Sequence, residues 1–97
     1  MSMDTLSWLQ TWFQSRCDGD WEHGQGVRIR SLDNPGWAVT LDVTGTALEG
    51  AELARQREER SELDWIHVWL EGDRLEARGG PGNLGEMMER LRAILGG

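Results

Sequence analysis

Thiol, carboxylate and imidazole groups crowd into one segment, Cys17-Asp18-Gly19-Asp20-Trp21-Glu22-His23-Gly24. Asp18, Asp20 and Glu22 alternate as the first ligands of a calcium loop do, but such a loop also needs Gly at its sixth position and a bidentate Glu at its twelfth. Those positions hold His23 and Ile29, which excludes an EF-hand. Cys17, His23, His67 and a carboxylate could supply four zinc ligands, yet they lack the paired short spacings of structural zinc sites. A nucleophilic Cys17 assisted by His23 needs a stabilised thiolate, whereas Asp18, Asp20 and Glu22 beside it would raise the thiol pKa. No metal, cofactor or catalytic residue is therefore expected. What is left is a turn in which Asp18 and Asp20 hydrogen-bond their own backbone, Gly19 and Gly24 supply φ freedom and Trp21 plugs the edge of the core. A partner docked against Asp18, Asp20, Trp21, Glu22 and His23 is compatible with the same turn.

Two further places carry candidate contact residues. Asp33-Asn34-Pro35-Gly36-Trp37 reads as a turn in which Pro presets φ and Gly tolerates a positive φ, with Asp33 and Asn34 available to a partner. Trp65, His67 and Trp69 alternate with Ile66, Val68 and Leu70, so they point away from the core and make that side more aromatic than solvation requires. His67 is given no catalytic role.

Seventeen acidic residues against ten basic ones, all of them Arg, leave a formal net charge of -7. That field repels phosphate backbones and anionic lipid, so neither nucleic acid nor a membrane is expected as a partner. It would speed the encounter with a basic protein, and it would equally serve solubility. Six Trp in 97 residues can be core mass or interface anchors, and most are expected in the core. A lone Cys17 forms no internal disulfide, and no run approaches the roughly eighteen apolar residues of a membrane span, so a cytoplasmic protein is expected.

These side chains need elements to position them, and a chain of this length makes one domain. Residues 3–16 place Leu6, Leu9, Trp12 and Phe13 on one arc of a helix, with Trp8 at its rim and Asp4 or Ser2 as its cap. Residues 26–33 and 37–43 read as a hairpin around Asn34-Pro35-Gly36. A three-residue loop there sets Ile29 opposite Leu41, Val27 opposite Val43, Arg28 opposite Asp42 and Arg30 opposite Thr40, with Trp37, Val39, Leu41 and Val43 on the core face. Residues 46–62 turn to Ala, Glu and Arg, a solvated excursion that is either a short helix lined by Ala47, Leu48, Ala51 and Ala54 or an extended piece at 46–48 followed by a loop. Residues 63–71 and 74–79 flank Gly72-Asp73, a two-residue turn that pairs Leu70 with Leu75, Val68 with Ala77, Glu71 with Arg74, Trp69 with Glu76 and His67 with Arg78. The last helix opens on Asn83 and Glu86 as a capping box, carries Leu84, Met88, Leu91 and Leu95 on one stripe joined by Met87 and Ile94, and ends at Gly96-Gly97. The sum is an α+β domain, an antiparallel sheet of about four strands in two hairpins with an N-terminal and a C-terminal helix packed on it.

In order along the chain stand Trp12-Phe13, the block from Cys17 to His23, Gly26-Val27, Leu32-Asp33-Asn34-Pro35-Gly36-Trp37, Gly45-Thr46, Asp64-Trp65-Ile66, Gly79-Gly80 and Asn83-Leu84. This order resembles the immunity protein 53 family of bacterial polymorphic toxin systems over nearly the whole chain. Residues 51–60 depart from it, since a bulkier strand and loop is more usual there. The resemblance implies a small cytosolic protein, encoded beside a secreted toxin, that protects the producing cell from that toxin. The expected function is stoichiometric binding of a cognate toxin domain, basic in character, through the candidates named above. Two rivals come from other classes: a small thiol enzyme using Cys17, and a structural module that pairs two copies through the aromatic face. The oligomeric state is left open.

Overall fold

Val39 and Leu41 alternate along one strand with Val43 just past its end, Ile66 and Val68 along a second, Leu75 and Ala77 along a third, and all seven side chains are fully buried. The computed structural model describes residues 2–96 and assembles these alternations into one sheet. Its elements are α1 (Ser2–Arg16), α2 (Trp21–Gly24), β1 (Val27–Leu32), β2 (Gly36–Asp42), β3 (Gln56–Ser61), β4 (Asp64–Glu71), β5 (Arg74–Gly79) and α3 (Leu84–Ile94). The strands lie in the order β1-β2-β5-β4-β3 and every neighbouring pair is antiparallel. The sheet thus has five strands where about four were expected. Leu9 of α1 and Met87, Met88 and Leu91 of α3 complete the core on one face, where the Thr5 hydroxyl of α1 donates to Glu89 of α3. No described helix is long and apolar enough to cross a membrane.

The first helix forms where its periodicity placed it but is rotated. Thr5 and Leu9 are buried and Trp8 and Trp12 half-buried, whereas Leu6 is 65% and Phe13 38% exposed. Turning the two indoles inward covers more apolar surface than Leu6 and Phe13 would. Asp4 lies in the first turn, where a carboxylate opposes the helix dipole; the side chain of Ser2 lies outside the described residues. Trp8, Trp12 and Trp37 pack half-buried against the core and none of the six Trp is fully buried, so indole supplies the margin of the core and not its centre.

The β4–β5 hairpin has the expected register, with all five predicted pairs in place and Gly72 at φ 60 in the turn. The β1–β2 hairpin differs. Its loop is residues 33–35, which pairs Leu32 with Gly36, Ile29 with Val39 and Val27 with Leu41. That register is displaced by two residues, so every side chain keeps its expected face. Gly36 explains the displacement: it is a strand residue without a positive φ, and a Cβ there would lie 2.4 Å from the carbonyl oxygen of Gly79. Its missing side chain serves close approach of β2 to β5.

Residues 46–62 are corrected more deeply. Turns occupy 46–50, and the nearly all-polar segment Gln56–Ser61 is an edge strand, neither helix nor loop. Its core-side residue Glu58 pairs with Arg60 at 2.6 Å and with Arg90 of α3. Arg60 also reaches Asp64 at 2.8 Å and Glu86 of α3 at 2.7 Å. Ion pairs take the place of apolar alternation here, and a charged edge resists pairing with another chain. Asn83 and Glu86 make no capping box. The buried Asn83 amide instead donates to Asp64 at 2.9 Å and accepts the Trp65 N–H at 3.3 Å, while Glu86 serves Arg60 and Arg90. Gly96 has φ 80 past the end of α3; Gly97 lies outside the described residues.

Gly36→Ala forces a methyl group against a backbone carbonyl, so it should lower stability by about 2 kcal/mol or more in urea unfolding. Gly82→Ala, where a Cβ would meet nothing within 4 Å, should change it by less than about 1 kcal/mol. Equal effects of the two substitutions would contradict this assignment of Gly36.

Candidate functional site

The polar segment after α1 is organised around its own backbone. Asp18 Oδ1 accepts the N–H groups of Asp20 and Trp21, each at 2.9 Å, while the Glu22 carboxylate accepts those of Asp18 at 3.0 Å and Gly19 at 2.9 Å. The two side chains brace the turn that leads into α2 from both sides, with Gly19 at φ 98 and Gly24 outside the positive-φ region. The Trp21 N–H, then that of Asp20, draws the Asp18 carboxyl below its ordinary 3.8. Glu22 is lowered first by its own N–H, then by those of Asp18 and Gly19. Desolvation, followed by the charges of Glu22 and Asp18, pushes the Cys17 thiol above its ordinary 9.0, which leaves little thiolate at neutral pH. Trp21 meets Trp12 edge-on at 6.0 Å and Phe13 at 5.8 Å. It therefore caps the aromatic side of α1 and does not plug the sheet core. Asp20 and His23 are exposed. Among the described residues no three His, Cys, Asp or Glu side chains gather as metal ligands would.

The candidates fall in three places. Gly26, which follows this segment, donates its N–H to Asp42 at one end of the β1–β2 pair. The exposed Asp33 and Asn34 form the turn at its other end, and the six residues of β1 between them span about 20 Å. Trp65, His67 and Trp69 occupy the sheet face turned away from α1 and α3, since their neighbours Ile66 and Val68 lie in the core.

That third group is built from several strands. His67 Nε2 lies 2.7 Å from Glu59 of β3, and its ring meets Trp65 edge-on at 5.1 Å. The Arg55 guanidinium sits 3.9 Å from the centre of the Trp69 ring and that of Arg78 5.2 Å from it, both within cation–π range. The Trp69 indole N–H donates to Glu71 at 3.1 Å. Glu76, nearly buried, accepts the Thr40 hydroxyl at 2.6 Å and Arg78 at 3.0 Å. Beside Trp65 and His67 an open depression of about 520 Å³ is bounded by Glu59, Arg60, Ser61 and Glu62. Arg55, Arg57 and Glu59 were absent from the candidates because β3 was not foreseen. Arg28, Arg30 and Arg78 were paired by register without being recognised as parts of one surface; the like charges recurring across that register were the available signal.

A family model described as immunity protein 53 matches residues 6–95, from within α1 to the end of α3. No curated protein and no solved structure matches the chain.

Arg60 at the lip of the depression, helped by Asn83, holds the Asp64 carboxyl down from 3.8 to about 2. A folded-state pKa below the unfolded value makes a contribution to stability that is complete above 3.8 and is lost as pH falls through about 2. Asp64→Asn should therefore melt lower than the parent at about pH 5, and the two curves should converge on acidification. Glu58 and Glu86, also lowered by their arginines, keep an acid-sensitive limb in both proteins. Parallel curves down to the acid extreme would refute the Arg60–Asp64 assignment.

Proposed function

Because the chain belongs to the immunity protein 53 family, we propose that it neutralises a cognate bacterial toxin by binding it one to one, with Trp65, His67 and Trp69 as the anchors of the contact. Family membership supports the toxin as partner. The observation that carries the choice of surface is an aromatic group on a sheet face that no described helix covers. The Trp69 indole, braced by Arg55, Arg78 and Glu71, and the Trp65 indole, set against His67, lose little side-chain freedom on docking, which favours them as anchors. Asp33 and Asn34 stand at the end of the sheet nearest Trp65, since β2 begins beside Gly79 and Gly80 bonds Trp65, and they extend the contact. Asp20 and His23, beside the Asp18–Glu22 turn, belong to the outlying acidic surface. With a net charge of -7 that surface speeds the approach of a basic toxin domain. The protein acts in the cytoplasm by occupying the toxin, with no bond made or broken, and neither nucleic acid nor membrane is its target.

Co-expression with the toxin domain encoded beside it, followed by co-purification, tests this reading. The parent protein should relieve toxicity and purify as a complex, and Trp65→Ala with Trp69→Ala should weaken the complex by about 100-fold or more. Cys17→Ala should protect as the parent does; loss of protection on that change alone would favour the thiol enzyme. Toxicity unrelieved and no complex with the parent protein would overturn the proposal.

A further inference from the structure

The open face is opposite in charge to the molecule that carries it. Six of the ten arginines lie there: Arg28, Arg30, Arg57, Arg74 and Arg78 by strand register, and Arg55 by its contact with Trp69. Asp42, Glu59, Glu71 and Glu76 are the carboxylates of the same face. Asp42 and Glu76 are 3% and 8% exposed, beneath the guanidinium groups that pair with them. One line of residues crosses all five strands: Arg30 opposite Ala38, Ala38 opposite Arg78, Arg78 opposite His67, and His67 opposite Arg57. Strands about 4.8 Å apart put Arg30, Arg78 and Arg57 at intervals of about 10 Å along that line. Between the arginines of β1 and β5, β2 presents Gly36, Ala38 and Thr40, with the buried Asp42 at its far end between Arg28 and Arg74.

Arg30 and Arg57, at the two ends of the line, are exposed and have no carboxylate partner among the described residues. In a chain with seven more acids than bases, two cations on one face with neither a carboxylate nor, unlike Arg55, an aromatic ring against them among the described residues are not explained by the fold. Resting on the toxin-binding reading, we infer that this face receives an acidic segment of the toxin, lying across the strands with carboxylates about 10 Å apart. A helix places side chains of one face at that interval seven residues apart, whereas an extended strand turns residues three apart to opposite faces, so a helical segment fits the spacing. The partner that satisfies both fields is basic overall, and so drawn to the acidic remainder of this protein, yet acidic where it docks. Guanidinium groups suit carboxylates because they donate two parallel hydrogen bonds.

The test uses the purified, catalytically inactivated toxin domain encoded beside the protein, titrated with the parent chain and with Arg30→Glu combined with Arg57→Glu. The double variant should bind at least about 100-fold more weakly, while Arg30→Lys with Arg57→Lys should recover part of that loss and Gln10→Ala, exposed on α1, should bind as the parent does. Arg30→Gln with Arg57→Gln, checked by its melting curve, serves should the reversed charges unfold the protein, and it should still bind at least about tenfold more weakly. Undiminished binding by a folded double variant would overturn the acidic-segment inference and leave toxin binding standing. No binding by the parent would remove both. Tight binding of a single-stranded DNA or RNA oligonucleotide, lost in the same double variant, would assign the face to nucleic acid and overturn the inference.

Discussion

Burial of one sheet face under α1 and α3 is the interaction on which everything else in the molecule rests. Leu41, Ile66, Leu75, Met87 and Leu91 have no solvent exposure, and truncating any such side chain to alanine ordinarily costs about 2–5 kcal/mol. A domain this small has no second core with which to absorb such a loss. The strand period then decides the rest, because a residue next to a buried one must point the other way. Trp65, His67 and Trp69 are outside because Ile66, Val68 and Leu70 are inside. Their place on the open face follows from the core, and a slip of one residue in β4 would exchange the two sets.

The edge strand β3 obeys a different rule. It contributes no fully buried apolar side chain and is held by main-chain pairing to β4 and by the charges of Glu58 and Arg60 against α3. Exposed ion pairs contribute little singly, and more as a network. The strand nevertheless supplies Arg57 and Glu59 to the open face and aims Arg55 at Trp69, so a polar element with a modest share in stability completes the surface next to the aromatics.

Much of this was legible in the residue pattern, and the exceptions have physical causes. A dipeptide turn at Gly72-Asp73 leaves one register open to the β4–β5 hairpin, so all five pairs could be read directly. The turn at residues 33–35 was harder because Pro-Gly suggested a positive φ at Gly36, while the real constraint, the Gly79 carbonyl on another strand, is not local. β3 was hidden because its core side is ionic, and periodicity detects only apolar alternation. Asn83 and Glu86 matched the spacing of a cap, but a partner distant in sequence, Asp64 or Arg60, claimed each of them. Of the candidate site residues, Asp18 and Glu22 accept backbone N–H groups of their own turn, as expected of Asp18 from the sequence. The open-face aromatics were visible from alternation alone.

Separation of charge follows from the register of the sheet. Each antiparallel pair places cross-strand neighbours on the same side, so a line of arginines across the sheet requires only that each strand carry one at the matching position. Like charges at adjacent positions would repel, and the line avoids this by setting Ala38 between Arg30 and Arg78 and His67 between Arg78 and Arg57. Glu76 pairs with Arg78 and Glu59 hydrogen-bonds His67, and the outer two are left without a carboxylate. The helical side and the ends of the sheet hold the acidic excess. One sheet in this way carries two electrostatic surfaces, an acidic far field and a face set with guanidinium groups.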